Sequence, residues 1–252
     1  MPTIGVINQK GGVGKTTTAV NLASALAARR RILLVDLDPQ ANASSGLGIT
    51  APERTIYDVL VGRVPARQAV LHYGDQGLYV IPASADLAGA AVEFDASTEN
   101  MQLLARTLIG VRPNYDFIIV DAPPSMGALT LNSLAAADLL IVPLQTEYYA
   151  LEGIAGMLDT VSRVQSGLNR DLTILGILLT MFDTRTKLSQ QVEDNVRAHL
   201  GPQVFETVIP RSIRLAEAPS YGQPIFDYAP GSTGAEAYLQ LAEEVLRRVS
   251  QT

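Results

Sequence analysis

The sequence predicts an α/β fold built on a doubly wound, mostly parallel sheet flanked by helices. Three observations carry this expectation. Apolar, β-branched runs recur along the 252 residues, and helical patterns fill most of the gaps between them. Both faces of those runs are apolar, as in strands covered on each side by helical crossovers. The first run passes through a glycine-rich loop straight into the first helical pattern, and in such sheets ligands sit at the carboxyl ends of the strands, where that loop lies.

In chain order, Thr3-Ile4-Gly5-Val6-Ile7-Asn8 reads as the first strand, and Val20, Leu22, Ala23, Leu26 and Ala27 mark a helix by their 3.6-residue period. Further strands are expected at 31–35, 78–81, 117–120, 139–142, 172–179 and 204–209. Helices are expected over 101–109, 151–164, 189–199 and 235–249. Residues 219–234, rich in proline and glycine, read as a surface loop, and 50–70 is the least regular stretch. No repeat, low-complexity tract or long linker divides the chain, so residues 1–252 are expected to form a single domain.

Composition narrows the function classes. Cysteine is absent, which excludes disulfides, thiolate metal sites and cysteine nucleophiles. No basic region followed by an apolar stretch opens the chain and no run of 18 apolar residues occurs, so a cytoplasmic protein is expected. The net charge of -6 argues against a uniformly basic nucleic-acid binder and leaves room for a local basic face.

Only three of the 19 basic residues are lysines, and two of these, Lys10 and Lys15, bracket Gln9-Lys10-Gly11-Gly12-Val13-Gly14-Lys15-Thr16-Thr17-Thr18. A compact ammonium fits between phosphate oxygens where a planar guanidinium fits less well. Strand, glycine loop and helix is the setting a phosphate-binding loop requires, because the helix N-terminus offers unpaired N–H groups and partial positive charge. In that reading Gly11, Gly12, Val13, Gly14, Lys15, Thr16 and Thr17 surround a nucleotide; Lys15 reaches its β- and γ-phosphates, and the Thr16 hydroxyl ligates Mg²⁺. A plain turn between strand and helix is the competing account, and the flanks and two acidic motifs weigh against it.

The first acidic motif is Asp121, at the tip of Phe117-Ile118-Ile119-Val120, where a rigid strand can aim a carboxylate at Mg²⁺; a turn-capping aspartate is the alternative. The second is Ile32-Leu33-Leu34-Val35-Asp36-Leu37-Asp38-Pro39-Gln40, whose alternation sends Asp36 and Asp38 to the same side.

The loop has Gln9 where the common pattern has glycine, and it inserts Lys10 before the double glycine. It thereby resembles the deviant Walker A motif of the ParA/MinD family of ATPases. The resemblance implies a P-loop NTPase of deviant Walker A type, ATP and Mg²⁺ as cofactors, and an ATP-dependent sandwich homodimer in which Lys10 reaches across to the partner's ATP. The Asp-x-Asp-Pro-Gln segment resembles the ParA switch I region, which implies that Asp38 orients the attacking water and that Asp36 has a Mg²⁺-shell or structural role. Asn42 and Ser44, which follow in the same segment, are candidates to assist switch movement.

Residues 180–187 and 209–220 resemble the C-terminal signatures of chromosomal, Soj-like ParA proteins. The resemblance implies that Pro210 and Arg211 flank the adenine and that Arg185, Lys187, Arg211 and Arg214 form a DNA-binding face. A solvated rim with local ion pairs, such as Arg214 with Glu217, is the alternative for each arginine. The chain lacks the Asn-Lys-x-Asp guanine signature, so ATP is preferred to GTP. The implied function is a ParA-type DNA partition ATPase: an ATP-bound dimer coats double-stranded DNA non-specifically, and a ParB-type activator stimulates hydrolysis, driving chromosome or plasmid segregation. The protein would be nucleoid-associated when ATP-bound.

Two alternatives stay open. One is a MinD-like membrane-associated ATPase; residues 238–249 are amphipathic, but Glu243 and Glu244 oppose anionic lipid, so core packing and no membrane are expected. The other is a metabolic ATP-dependent ligase of the same fold. His72 and His199 are isolated, and Tyr148 and Tyr149 read as packing or interface residues.

Overall fold

Six parallel strands form the sheet: β1 (Thr3–Val6), β2 (Ile32–Asp36), β4 (Leu78–Ile81), β5 (Phe117–Asp121), β6 (Leu139–Gln145) and β7 (Thr173–Thr180). A short edge strand, β3 (Leu71–Tyr73), runs antiparallel to β4. The order across the sheet is β3-β4-β2-β5-β1-β6-β7. This is a computed structural model, and it describes residues 1–89, 94, 97–148 and 150–251, so Tyr149 lies outside the described residues. Five longer helices cover the faces: α1 (Lys15–Ala27), α2 (Ala128–Ala136), α3 (Ala150–Gly167), α4 (Lys187–Leu200) and α5 (Thr233–Val249).

Strand alternation divides the core. In β2, Ile32 and Leu34 pack toward α1 and α5, against Leu22, Leu26, Tyr238 and Leu241. Leu33 and Val35 point to the other face, where Leu104, Leu108 and Leu129 cover them. On the β6–β7 side, Val142, Ile177 and Leu179 meet Ile154, Met157 and Val161 of α3 and Val196 of α4. The amphipathic tail is therefore a core helix. Tyr238 is buried, its hydroxyl lies 3.2 Å from that of Thr18, and burial pushes its phenol pKa far up.

Residues 204–209 do not form the expected strand. Val204 makes a single bridge to Ile177, and Pro210 one to Phe182. Between them the N–H groups of Glu206 and Thr207 turn away from β7 and donate to the buried Glu244 carboxylate, at 2.8 and 2.9 Å. Arg248 completes that cluster, pairing with Glu244 at 2.8 Å and donating to the carbonyls of Leu175, Pro202 and Val204. Phe205 and Ile209 still donate to the Ile177 and Leu179 carbonyls of β7, both at 2.9 Å, so a side-chain anion interrupts the ladder between them. Residues 219–234, expected as a loop, overlap the short helical turn Ala218–Tyr221 and contain a second, Ile225–Tyr228, at whose start Asn21 accepts the N–H of the buried Ile225. Helix α2 escaped the apolar period because Asn132 and Ser133 are buried in it; Asn132 accepts the Leu104 N–H and donates to Asn100 and Ala128 carbonyls.

Glu244→Ala removes one partner of a buried ion pair and is expected to cost about 3 kcal/mol, a fall in thermal midpoint of roughly 6–12 °C. Burial by itself would raise the Glu244 pKa, but the Thr207 and Glu206 N–H groups, the Thr207 hydroxyl and Arg248 outweigh it and hold the carboxyl below the usual glutamate range. A depressed folded pKa stabilises above the unfolded value, about 4.3, and that stabilisation is lost as pH falls through the folded value. The stability advantage over Glu244→Gln should therefore be constant near neutrality and shrink below about pH 4. Denaturant titrations across pH check this, and a pH-independent gap would contradict it.

Candidate functional site

The loop after β1 is fixed at both ends. Asn8, buried, donates its amide to the Pro143 carbonyl at 2.7 Å and accepts the Lys10 N–H at 3.0 Å. At the far end the Thr180 hydroxyl donates to the Val13 carbonyl at 2.9 Å. Between these anchors Gly12 (φ +75°) and Gly14 (φ +88°) adopt left-handed backbone that residues with a Cβ rarely occupy, and Gly14 caps α1. The first turn of α1 leaves its N–H groups without helical partners, facing the space a phosphate would take.

The two loop lysines differ in placement. Lys15 is buried, and its ammonium donates to the Lys10 carbonyl at 3.0 Å. Burial lowers its pKa, while the charges of Asp121 and Asp38 oppose the shift. Lys10 stands half-exposed at the rim, paired with Glu147 at 2.9 Å.

Three carboxylates converge beneath the loop. Asp36 and Asp121 are register neighbours on β2 and β5, both fully buried, and Asp38 is 6% exposed. Asp36 has its oxygens occupied: Oδ2 accepts the Ser44 N–H at 2.8 Å and the Ser44 hydroxyl at 2.7 Å, and Oδ1 accepts the Asp38 N–H at 3.2 Å. Burial pushes its pKa up to about 6 against the pull of those bonds. Asp38 Oδ1 accepts the Gln40 N–H at 2.9 Å.

Asp121 is different. Both of its oxygens are buried with no hydrogen-bond partner among the described residues. Burial and then the neighbouring Asp36 push its pKa well up; the nearby Thr16 hydroxyl, outside hydrogen-bond geometry, and Lys15 act the other way. An unpaired buried carboxylate costs several kcal/mol or more unless something compensates it. A hard divalent cation with its waters fits this donor set of carboxylate and hydroxyl oxygen. Among the described residues no group of three His, Cys, Asp or Glu side chains is arranged to hold an ion alone, so Mg²⁺ here would draw its other ligands from water and phosphate.

The two C-terminal segments meet. Phe182 bonds to both neighbours of its bridge partner Pro210: its N–H donates to the Ile209 carbonyl at 3.0 Å, and its carbonyl accepts the Arg211 N–H at 2.9 Å. Arg185 donates twice to Asp183, at 2.8 and 2.7 Å, and with a smaller contribution from Arg211 holds that carboxyl down to about 2. Arg214 belongs to a second cluster, pairing with Glu217 at 3.0 Å as helical spacing suggested; the Tyr228 hydroxyl donates to the same oxygen. Lys187 is exposed at the start of α4.

A family model described as an AAA domain matches residues 1–174. The chromosome-partitioning ATPase Soj of Thermus thermophilus is 53% identical over 249 residues, spanning 98% of this chain and 96% of that protein. The chain belongs to the Soj/ParA family of ATPases. The sporulation initiation inhibitor protein Soj of Bacillus subtilis is 51% identical over 96% of this chain and 97% of its own. Among solved structures, cobyrinic acid a,c-diamide synthase from Mycobacterium smegmatis with bound ADP and magnesium superposes at a TM-score of 0.87 and 37% identity, covering 99% of this chain and 95% of that one. Among the described residues of this Soj/ParA chain, no helix is long and apolar enough to cross a membrane. Sequence reasoning missed the parts that Asn8, next to the Soj/ParA loop, and Thr180 and Glu147, far from it in the chain, play in shaping it; only Asn8, a polar end to an apolar strand, left a local signal.

Proposed function

We propose that residues 1–252 act as one P-loop ATPase domain, a ParA-type partition ATPase whose ATP-bound homodimer binds DNA non-specifically and releases it on hydrolysis. The orphaned Asp121 carboxylate beside Lys15 and the glycine loop carries this reading, because it is a buried negative site that a Mg²⁺–nucleotide complex would satisfy. Gly11, Gly12, Val13, Gly14, Lys15, Thr16 and Thr17 would hold the phosphates, Thr16 and Asp121 the metal, and Pro210 and Arg211 the adenine side. When bound, Mg²⁺ neutralises phosphate charge and fixes the orientation of the oxygens. Asp38 orients the attacking water. Asp36, its oxygens occupied by the chain, supports Asp38 in the structural role. Lys10 of the partner subunit offsets charge developing at the phosphates.

Arg185, Lys187, Arg211 and Arg214 would supply the DNA contacts, with a ParB-type protein as activator. The ion pairs of Arg185 with Asp183 and of Arg214 with Glu217 are exposed and weak, so duplex phosphates can displace those carboxylates. The cytoplasm, and the nucleoid in the ATP state, is the matching location. The Mycobacterium smegmatis neighbour carries a metabolic name, but the two Soj proteins are more similar over nearly the same span, which favours partition over ligation. Steady-state phosphate release from ATP, with Mg²⁺ and with the metal chelated, tests the reading. Metal-dependent turnover that rises with DNA and a ParB-type partner is expected; metal-independent turnover would contradict the assigned site.

A further inference from the structure

Ser44 is buried, and its hydroxyl sits between two groups that no other side chain joins among the described residues. The Ala83 N–H, two residues past the end of β4, can only donate, so at 3.0 Å the Ser44 oxygen accepts it. The single hydroxyl proton then goes to Asp36 Oδ2 at 2.7 Å, and the Ser44 N–H reaches the same oxygen at 2.8 Å. The opposite oxygen of Asp36 takes the Asp38 N–H. One carboxylate thus links the backbone of the water-orienting residue to Ser44, and Ser44 to the segment just past β4.

The segment between them has little stiffness of its own. It is a single helical turn, Asn42–Ser45, entered through Ala41 at φ +51°, a left-handed conformation uncommon for a residue with a Cβ. One turn does not stand alone in water, so contacts from outside hold it. The hydrogen bonds through Ser44 are those contacts on the side facing Asp38.

We propose that Ser44 is a positioning residue for ATP hydrolysis: it clamps Asp36 against the Asp38 amide and ties the loop carrying Asp38 to the segment just past β4. This rests on the assignment of Asp38 as the residue that orients water. Ser44 sets the placement of that carboxylate without taking part in nucleotide binding. Displacements of about 1 Å in a reacting constellation can cost on the order of 100-fold in rate.

The test is phosphate release by the full chain for Ser44→Ala, Ser44→Thr and Asp38→Ala, with ADP affinity and thermal midpoint measured alongside. Ser44→Ala is expected to lower kcat by about 10- to 100-fold with KM for ATP and ADP affinity within about twofold, and Ser44→Thr, which keeps the hydroxyl, to restore most of the rate. If Ser44→Ala does not fold, Ser44→Cys carries the same comparison, since it keeps bulk and offers only a weak donor. Wild-type kcat in Ser44→Ala alongside an inactive Asp38→Ala overturns the proposal and leaves the Asp38 reading intact. So does a fall in kcat that comes with a matching loss of nucleotide affinity, or one that threonine fails to rescue. Wild-type kcat in Asp38→Ala overturns the reading beneath it.

Discussion

Asp38→Ala is expected to slow ATP hydrolysis by about 10²- to 10⁴-fold while leaving ATP binding and ATP-driven dimerisation in place. The transferred phosphoryl passes through a loose transition state, so placing the water counts for more than strong basicity. Asp38 is built for placement: it is nearly buried, and its Oδ1 is steered by the Gln40 N–H. The fold should tolerate the change, because Asp36 bonds to the Asp38 backbone N–H, which alanine retains. Single-turnover phosphate release, with the dimer followed by light scattering, checks both halves. Loss of ATP binding in this variant would assign Asp38 to the metal or phosphate site instead.

Lys10→Ala is expected to abolish ATP-driven dimerisation and lower hydrolysis by about 10³-fold or more, in the range seen when a charge supplied in trans is removed. ADP binding to the monomer should survive. The Lys10 backbone bonds to Asn8 and Lys15 remain in alanine, and the ammonium that is lost bonds to Glu147. That ion pair is half-exposed and worth about 0–1 kcal/mol, so its loss costs the fold little and its release costs the dimer little. Equilibrium sedimentation with ATP, and calorimetry with ADP, separate the two effects. A Lys10→Ala variant that dimerises and turns over normally would sink the trans assignment.

Local patterns announced themselves in the sequence, and distant partners did not. Gly12, Gly14, Lys15 and the strand-end aspartates are legible because each role follows from nearby residues: a left-handed turn, a helix start, a buried run ending in a carboxylate. The Arg214–Glu217 pair is legible for the same reason. By contrast, Thr180 holds Val13 from 167 residues away and Glu147 holds Lys10 from 137. No periodicity reports such contacts. Residues 204–209 have the composition of a strand, and only Glu244, on another element, decides that two of their N–H groups leave the ladder. Helix α2 hides behind Asn132, a polar residue that looks surface-facing until its three backbone partners are seen.

The decisive measurement is binding of a random-sequence duplex at low and moderate salt, without nucleotide, with ADP, and with ATP in the Asp38→Ala background so that it is not consumed. Tight binding only with ATP, falling steeply with salt and weakened by alanine at Arg185, Arg211 and Arg214, is the result a DNA-coating partition ATPase gives. Equal affinity in all three nucleotide states, or none in any, would contradict it.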